Sequence, residues 1–139
     1  MNVLVIGLNH KTAAIEVREK LAFDGPKLEE GLRKVHELPS IDEAVIISTC
    51  NRVEMYTNVK DREKATEEIK DFISEFHDIK RENLEDALYI HNGSIAIKHV
   101  FRVASSLDSM VVGEPQILGQ VKASFEFALS QKTTSVVLN

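Results

Sequence analysis

Apolar positions along this chain follow two rhythms, and their alternation predicts the order of elements. Val3-Leu4-Val5-Ile6 is an unbroken, largely β-branched run that predicts a buried strand, and Gly7-Leu8-Asn9-His10-Lys11-Thr12 breaks it. Asp24-Gly25-Pro26 reads as a helix start with proline in the first turn; Leu28, Leu32 and Val35 then recur at helical spacing until Pro39-Ser40. Glu43 to Thr49 is apolar on both faces and predicts a central strand. Val53 to Val59 sets Val53, Met55, Thr57 and Val59 against Glu54, Tyr56 and Asn58, which predicts a strand with one wet face. Cys50-Asn51-Arg52 lies between these two strands as a tight connection, since asparagine tolerates turn geometry.

The second half turns helical. Asp61 to His77 carries Ala65, Ile69, Phe72, Ile73 and Phe76 on one stripe, with Glu67, Glu68, Asp71 and Glu75 mostly off it. Ala87-Leu88-Tyr89-Ile90 predicts a fourth strand, Asn92 caps a helix over Ile95 to Leu107, and Val112-Gly113-Glu114-Pro115 breaks that helix. Pro115 opens a last amphipathic helix with Ile117, Val121, Phe125 and Ala128 inward. Strand, helix, strand, strand, helix, strand is the order of a ferredoxin-like split β-α-β sandwich, an α+β fold, here with extra C-terminal helices. The expected division is a ferredoxin-like domain over 1–110 and a helical extension over 111–139. A fold of this kind specifies no activity by itself.

Composition narrows the function classes. The chain has 139 residues, 43% hydrophobic and 28% charged, which suits one globular domain. Its longest purely aliphatic runs, Val3-Leu4-Val5-Ile6 and Ala44-Val45-Ile46-Ile47, are far short of the roughly 18 residues of a membrane span. The start, Met1-Asn2-Val3-Leu4, has no basic n-region, so no secretion is expected. The net charge of −5 weighs lightly against nucleic-acid binding, because residues 61–91 alone hold 10 acidic against 5 basic side chains. The single cysteine excludes an internal disulfide and fits a reducing, cytoplasmic setting. Glycines 7, 25, 31, 93, 113 and 119 form no G-x-G, so no dinucleotide cradle is drawn, and the five histidines have no i, i+3 or i, i+4 pair for a metal.

Few residues are left to carry chemistry. Cys50, at a turn with Arg52 two positions on, is a candidate nucleophile, because cations and backbone N–H groups favour thiolate; the alternative is a small buried core residue. His99 is a candidate base, or a histidine packed on a helix face. Ser109, Glu114, Gln116 and Gln120 gather hydrogen-bonding groups near a helix start, as binding groups or as caps. Asn9-His10-Lys11-Thr12 is a polar loop of the same standing.

Gly7 to Ala13, Arg18-Glu19-Lys20-Leu21-Ala22-Phe23, Ser48 to Glu54, Phe101 to Ser105 and Val112 to Lys122 together resemble glutamyl-tRNA reductase, in that family's order and spacing, over roughly residues 1 to 128. The Thr49-Cys50-Asn51-Arg52 and Gly113 to Gln120 blocks are the most specific. The resemblance implies a ferredoxin-like catalytic domain whose cysteine takes the glutamyl group from glutamyl-tRNA as a thioester. NADPH then reduces the thioester to glutamate-1-semialdehyde, on the route to tetrapyrroles. By motif it implies Cys50 as nucleophile and His99 as the histidine important for activity. Thr49, Asn51, Arg52, Ser109, Glu114, Pro115, Gln116 and Gln120 match substrate-contacting positions. Charge complementarity makes Arg52 the candidate clamp for the substrate's γ-carboxylate and Glu114 the candidate for its ammonium. The resemblance further implies NADPH-binding and dimerisation domains downstream of this chain, a homodimer for the complete enzyme, and a downstream aminomutase as partner. Acyl transfer and hydrolysis are then what this chain does alone. Ser130 to Asn139 is expected to depart from the family's pattern. The competing expectation is a non-catalytic module on the same scaffold that binds tRNA or a protein.

Overall fold

The structure is a computed structural model that describes residues 2–105 and 116–138. The described elements run β1 (Val3–Asn9), α1 (Ile15–Lys20), α2 (Pro26–His36), β2 (Ile41–Ser48), β3 (Arg52–Val59), α3 (Arg62–His77), α4 (Arg81–Leu84), β4 (Tyr89–Asn92), α5 (Gly93–Ala104) and α6 (Gln116–Ser130). The strands form one sheet in the order β2-β3-β1-β4, every neighbouring pair antiparallel.

Local chemistry sets most of the boundaries. Gly25 takes φ +56°, a conformation side chains rarely adopt, and Pro26 follows as the first residue of α2. Asp61 caps α3 by accepting the Lys64 amide at 3.1 Å, and Asp78 ends it in the left-handed region. Asn92 does not cap α5 with its side chain; Asn92 Oδ1 accepts a hydrogen bond from Arg62 Nη1 at 2.5 Å, tying β4 to α3.

The sheet is covered on both faces, and alternation along β3 shows how. Val53 and Met55 point into a layer with Leu21, Phe23 and Ile73, from the α1–α2 region and α3. Glu54 and Tyr56 point the other way, where Glu54 meets His99 of α5 and the Tyr56 ring lies 5.9 Å from that of Phe125 in α6. The wet face expected of this strand is mostly covered: Glu54 and Tyr56 are 0% exposed, and only Asn58 at its far end is half-buried. The helices that follow β4 cover the face that alternation alone assigns to water.

Other departures are smaller. β1 continues to Asn9, because the chain stays paired with β3 through Asn9 opposite Arg52. β4 begins at Tyr89 rather than Ala87. α5 starts at Gly93 and ends at Ala104; Leu107 lies outside the described residues, as does the break expected at Val112 to Pro115. Two short helices, α1 and α4, have too few turns to show an apolar period and are not foreseen by the pattern. The last residues fold back on the sheet. Ala44 N donates to the Thr133 carbonyl at 2.9 Å, and buried Glu43 accepts the Ser135 and Leu138 amides at 2.6 and 2.9 Å. Burial pushes the Glu43 carboxyl up, and these backbone bonds outweigh it, so it sits below its ordinary value.

Candidate functional site

The site is built at the end of the sheet where β1 and β2 finish and β3 and β4 begin. Gly7 pairs with both Glu54 and Tyr89 there. A Cβ on Gly7 would lie 2.6 Å from the Val53 carbonyl and 2.8 Å from Glu54 Cγ, so only glycine lets β1 and β3 come this close.

Thr49, Cys50 and Asn51 form the tip between β2 and β3. The Asn51 and Arg52 amides both donate to Thr49 Oγ1 at 3.2 Å, and the Thr49 amide donates to the Arg52 carbonyl at 2.8 Å. The threonine hydroxyl thus closes the turn. Cys50 is exposed. It lines a cleft of about 380 Å³ with Arg18, Glu19, Asp24, Ser48 and Thr49. Ser48 Oγ accepts the Phe23 amide at 2.9 Å, which fixes the α1–α2 connection against β2.

Buried in the sheet at the same end is a second assembly. Glu54, 0% exposed, is its centre. Its Oε1 faces Arg52 Nη1 at 3.3 Å and accepts Tyr56 OH at 2.8 Å. Its Oε2 accepts Tyr89 OH at 2.6 Å and meets His99 Nε2. Burial pushes this carboxyl up, but the hydrogen bond and charge of His99, the Arg52 guanidinium and the Tyr89 hydroxyl outweigh it and hold the group below its ordinary value. Burial and the adjacent Glu54 push the Tyr56 hydroxyl well above 10.0, so it remains a donor. An ionised carboxylate only accepts, so His99 carries its hydrogen on Nε2 and, when neutral, leaves Nδ1 as an acceptor. The His91 ring stacks obliquely on His99 with centroids 4.6 Å apart.

The expected site residues divide accordingly. Thr49, Cys50 and Asn51 share the turn, and Arg52 and His99 share Glu54. No hydrogen bond joins Cys50 to His99 among the described residues. Cys50 is not the small core residue of the alternative reading. Asn9 Oδ1 accepts the Lys11 amide at 2.9 Å, so the polar loop after β1 opens on a turn at Asn9, opposite Arg52. Gln120 is exposed on α6, and Gln116 is that helix's first residue. Ser109, Glu114 and Pro115 lie outside the described residues. Sequence reasoning missed Glu54, Tyr56 and Tyr89. The available signal was the i, i+2 spacing of Arg52, Glu54 and Tyr56, which places them on one strand face. Among the described residues no group of three or more His, Cys, Asp or Glu side chains is placed to hold a metal ion, and no helix is long and apolar enough to cross a membrane.

These features define an α+β domain on a four-stranded antiparallel sheet, with an exposed thiol at a cleft and a buried arginine–glutamate–histidine assembly at the same sheet end. The family model for the glutamyl-tRNA(Glu) reductase N-terminal domain matches residues 6–139. The glutamyl-tRNA reductase of Citrifermentans bemidjiense is 53% identical over the whole chain, which covers 32% of that protein. The one from Thermodesulfovibrio yellowstonii is 54% identical, with 100% of this chain and 34% of that protein covered. The solved structure of glutamyl-tRNA reductase from Methanopyrus kandleri superposes with a TM-score of 0.77 at 34% identity, covering 96% of this chain and 29% of that one. The chain belongs to the glutamyl-tRNA reductase family, to its N-terminal domain. It spans about a third of the length of these relatives. The family match runs to the final residue, so Ser130 to Asn139 lie within the aligned span.

Proposed function

We propose that this chain is the ferredoxin-like, thioester-forming part of a glutamyl-tRNA reductase. The observation that carries this reading is the exposed Cys50 on a hydrogen-bonded turn at a cleft, in a chain of that family. The strand order β2-β3-β1-β4 supports the fold reading: β3 slots between β1 and β2, as a split β-α-β unit requires, and α5 and α6 are the added helices. The expected division at 110/111 falls in the segment between them.

The chemistry follows from the residues. The Cys50 sulfur attacks the carbonyl carbon of the glutamyl ester, a carbon–sulfur bond forms, and the carbon–oxygen bond to the ribose breaks. The ribose oxygen leaves and takes up the proton lost by the thiol. His99, oriented by Glu54, is the proposed carrier of that proton. Arg52 and Glu114 are the proposed partners of the substrate's γ-carboxylate and ammonium. In this reading the substrate carboxylate shares with Glu54 the planar fork of the Arg52 guanidinium. Thr49, Asn51, Ser109, Pro115, Gln116 and Gln120 complete the proposed substrate contacts.

The described residues do not fit NADPH. Glycines 7, 25, 31, 93 and 119 make no cradle for a pyrophosphate, and the cleft beside Cys50 carries the carboxylates of Glu19 and Asp24. Reduction of the thioester to glutamate-1-semialdehyde is assigned to the remaining length of the relatives, as are the homodimer and delivery to an aminomutase. Alone, this chain transfers the glutamyl group and releases glutamate to water. A reducing cytoplasm suits a thiol that must stay free.

The test is mass spectrometry after incubation with glutamyl-tRNA. One glutamyl addition on Cys50, absent from Cys50→Ser, is expected. An unmodified wild-type protein, or an adduct that persists in Cys50→Ser, rejects the reading.

A further inference from the structure

Two arginines are buried among the described residues, Arg18 and Arg52. Arg52 has Glu54. Arg18 has no such partner. It is 8% exposed, on α1, yet its Nη1 makes only a long contact of 3.4 Å to the Ala13 carbonyl, and its Nε is buried with no hydrogen-bond acceptor among the described residues. Glu19 and Asp24 line the same cleft without pairing with it. A guanidinium cannot shed its proton to relieve this, so a buried one without an anion is costly to the fold. A position of this kind is explained when the missing anion arrives with a ligand.

The location says which ligand. Arg18 and Cys50 line one cleft. In the same cleft the Ser48 hydroxyl, oriented by the Phe23 amide, still has its hydrogen to donate. We propose that Arg18, with Ser48, forms an anion subsite beside Cys50 that receives an oxyanion of the aminoacyl end of the substrate. This rests on the thioester-forming reading above. Two oxyanions flank the reacting ester in glutamyl-tRNA: the γ-carboxylate of the glutamyl group and the terminal phosphodiester of the acceptor strand. Both suit the planar fork of a guanidinium, which binds carboxylate and phosphate through two parallel bonds.

The subsite is tested first without any tRNA. Cys50 is alkylated with iodoacetate, which carries a carboxylate, and with iodoacetamide, which does not, and the ratio of the two rates is compared between variants. Glu19 and Asp24 act alike on every variant, so the change in ratio is what reports on Arg18. The ratio should fall by about fivefold in Arg18→Gln and Arg18→Met, the size of a unit-charge attraction across ~4 Å of water, and stay near wild type in Arg18→Lys and in the exposed-neighbour control Lys20→Gln. An unchanged ratio in the folded Gln and Met variants overturns the proposal. Arg18→Met removes an unpaired buried charge at similar volume, so its melting point should equal or exceed that of wild type; a large loss would make Arg18 a structural residue and also overturn it.

The second arm separates the two oxyanions. Transfer to Cys50 is measured from 3′-O-glutamyl-adenosine, which has no phosphate, and from glutamyl-tRNA. A loss of about tenfold to a hundredfold in Arg18→Met with both substrates identifies the γ-carboxylate; a loss with glutamyl-tRNA alone identifies the phosphodiester; a loss with neither overturns the subsite. If wild type forms no thioester with either substrate, the thioester reading fails, while the alkylation ratio still decides the subsite.

Discussion

Replacing Glu54 by glutamine changes almost no volume and removes one charge, so its effect can be worked from the contacts. The carboxylate is 0% exposed and receives Arg52 Nη1, two tyrosine hydroxyls and His99 Nε2. In Glu54→Gln one oxygen becomes an NH2 group that cannot accept. It must face either Arg52 with Tyr56 or Tyr89 with His99, and donor then meets donor. The Arg52 charge, 1% exposed at its side chain, loses its counter-charge. Breaking a buried pair from one side costs about 3–5 kcal/mol, a large part of the roughly 5–15 kcal/mol that holds a domain folded. For a chain of this length that is a drop in melting temperature of roughly 10–20 °C. Circular dichroism melts at pH 7 measure it. The pH dependence supplies the sign. The folded carboxyl lies below the ordinary value of 4.5, so its contribution is complete above that value and is lost as pH falls through the lower folded one. The gap between wild type and Glu54→Gln should therefore be full at pH 7 and close below pH 4.5. A double variant, Arg52→Met with Glu54→Leu, should recover only the part due to the unpaired Arg52 charge, since the Tyr56 and Tyr89 hydroxyls and His99 Nε2 still lose their acceptor. A melting point for Glu54→Gln within about 3 °C of wild type at pH 7 would refute the reasoning.

Two further predictions concern the frame around the site. Gly7→Ala sets a methyl 2.6 Å from the Val53 carbonyl and should cost about 1–3 kcal/mol as the strands move apart, read as a lower urea midpoint with an unchanged slope; a midpoint equal to wild type shows that β1 and β3 are not so close. His77 is held at about 4 by burial and, secondarily, by Lys27, so the fold keeps it neutral while the unfolded chain takes up a proton from its ordinary 6.5 downward. Stability should fall between pH 6.5 and 4 in wild type, and His77→Phe, which keeps the ring contacts to Phe23 and Phe76, should flatten that slope; an identical slope in both proteins contradicts the assignment.

What the sequence discloses and hides follows from where each signal resides. The strands β1 to β3 and the helices α2 and α3 are legible because their apolar period repeats over two or more turns or pairs, and Gly25, Pro26 and Asp61 mark the starts. The Cys50 turn is legible because it joins two strong strands. Glu54 and Tyr56 are not. Alternation distinguishes the two faces of a strand but not what covers the second one, and α5 and α6 arrive from far along the chain. Arg18 is hidden for a related reason. On a six-residue helix no period shows which side is buried, so a charged residue there reads as surface.

The two buried arginines stand on opposite sides of one turn and answer different needs. Arg52 begins β3, so its carbonyl and amide close the turn that presents Cys50, while its side chain is pinned to Glu54 in the sheet. Any motion of that ion pair is passed to the thiol through two residues of backbone. Arg18 touches the turn only across the cleft and makes no bond that a bound anion would have to break, apart from a long one to Ala13. A charge that is matched inside the protein sets the position of the nucleophile. A charge that is left unmatched at the cleft wall is free to act on whatever the nucleophile attacks.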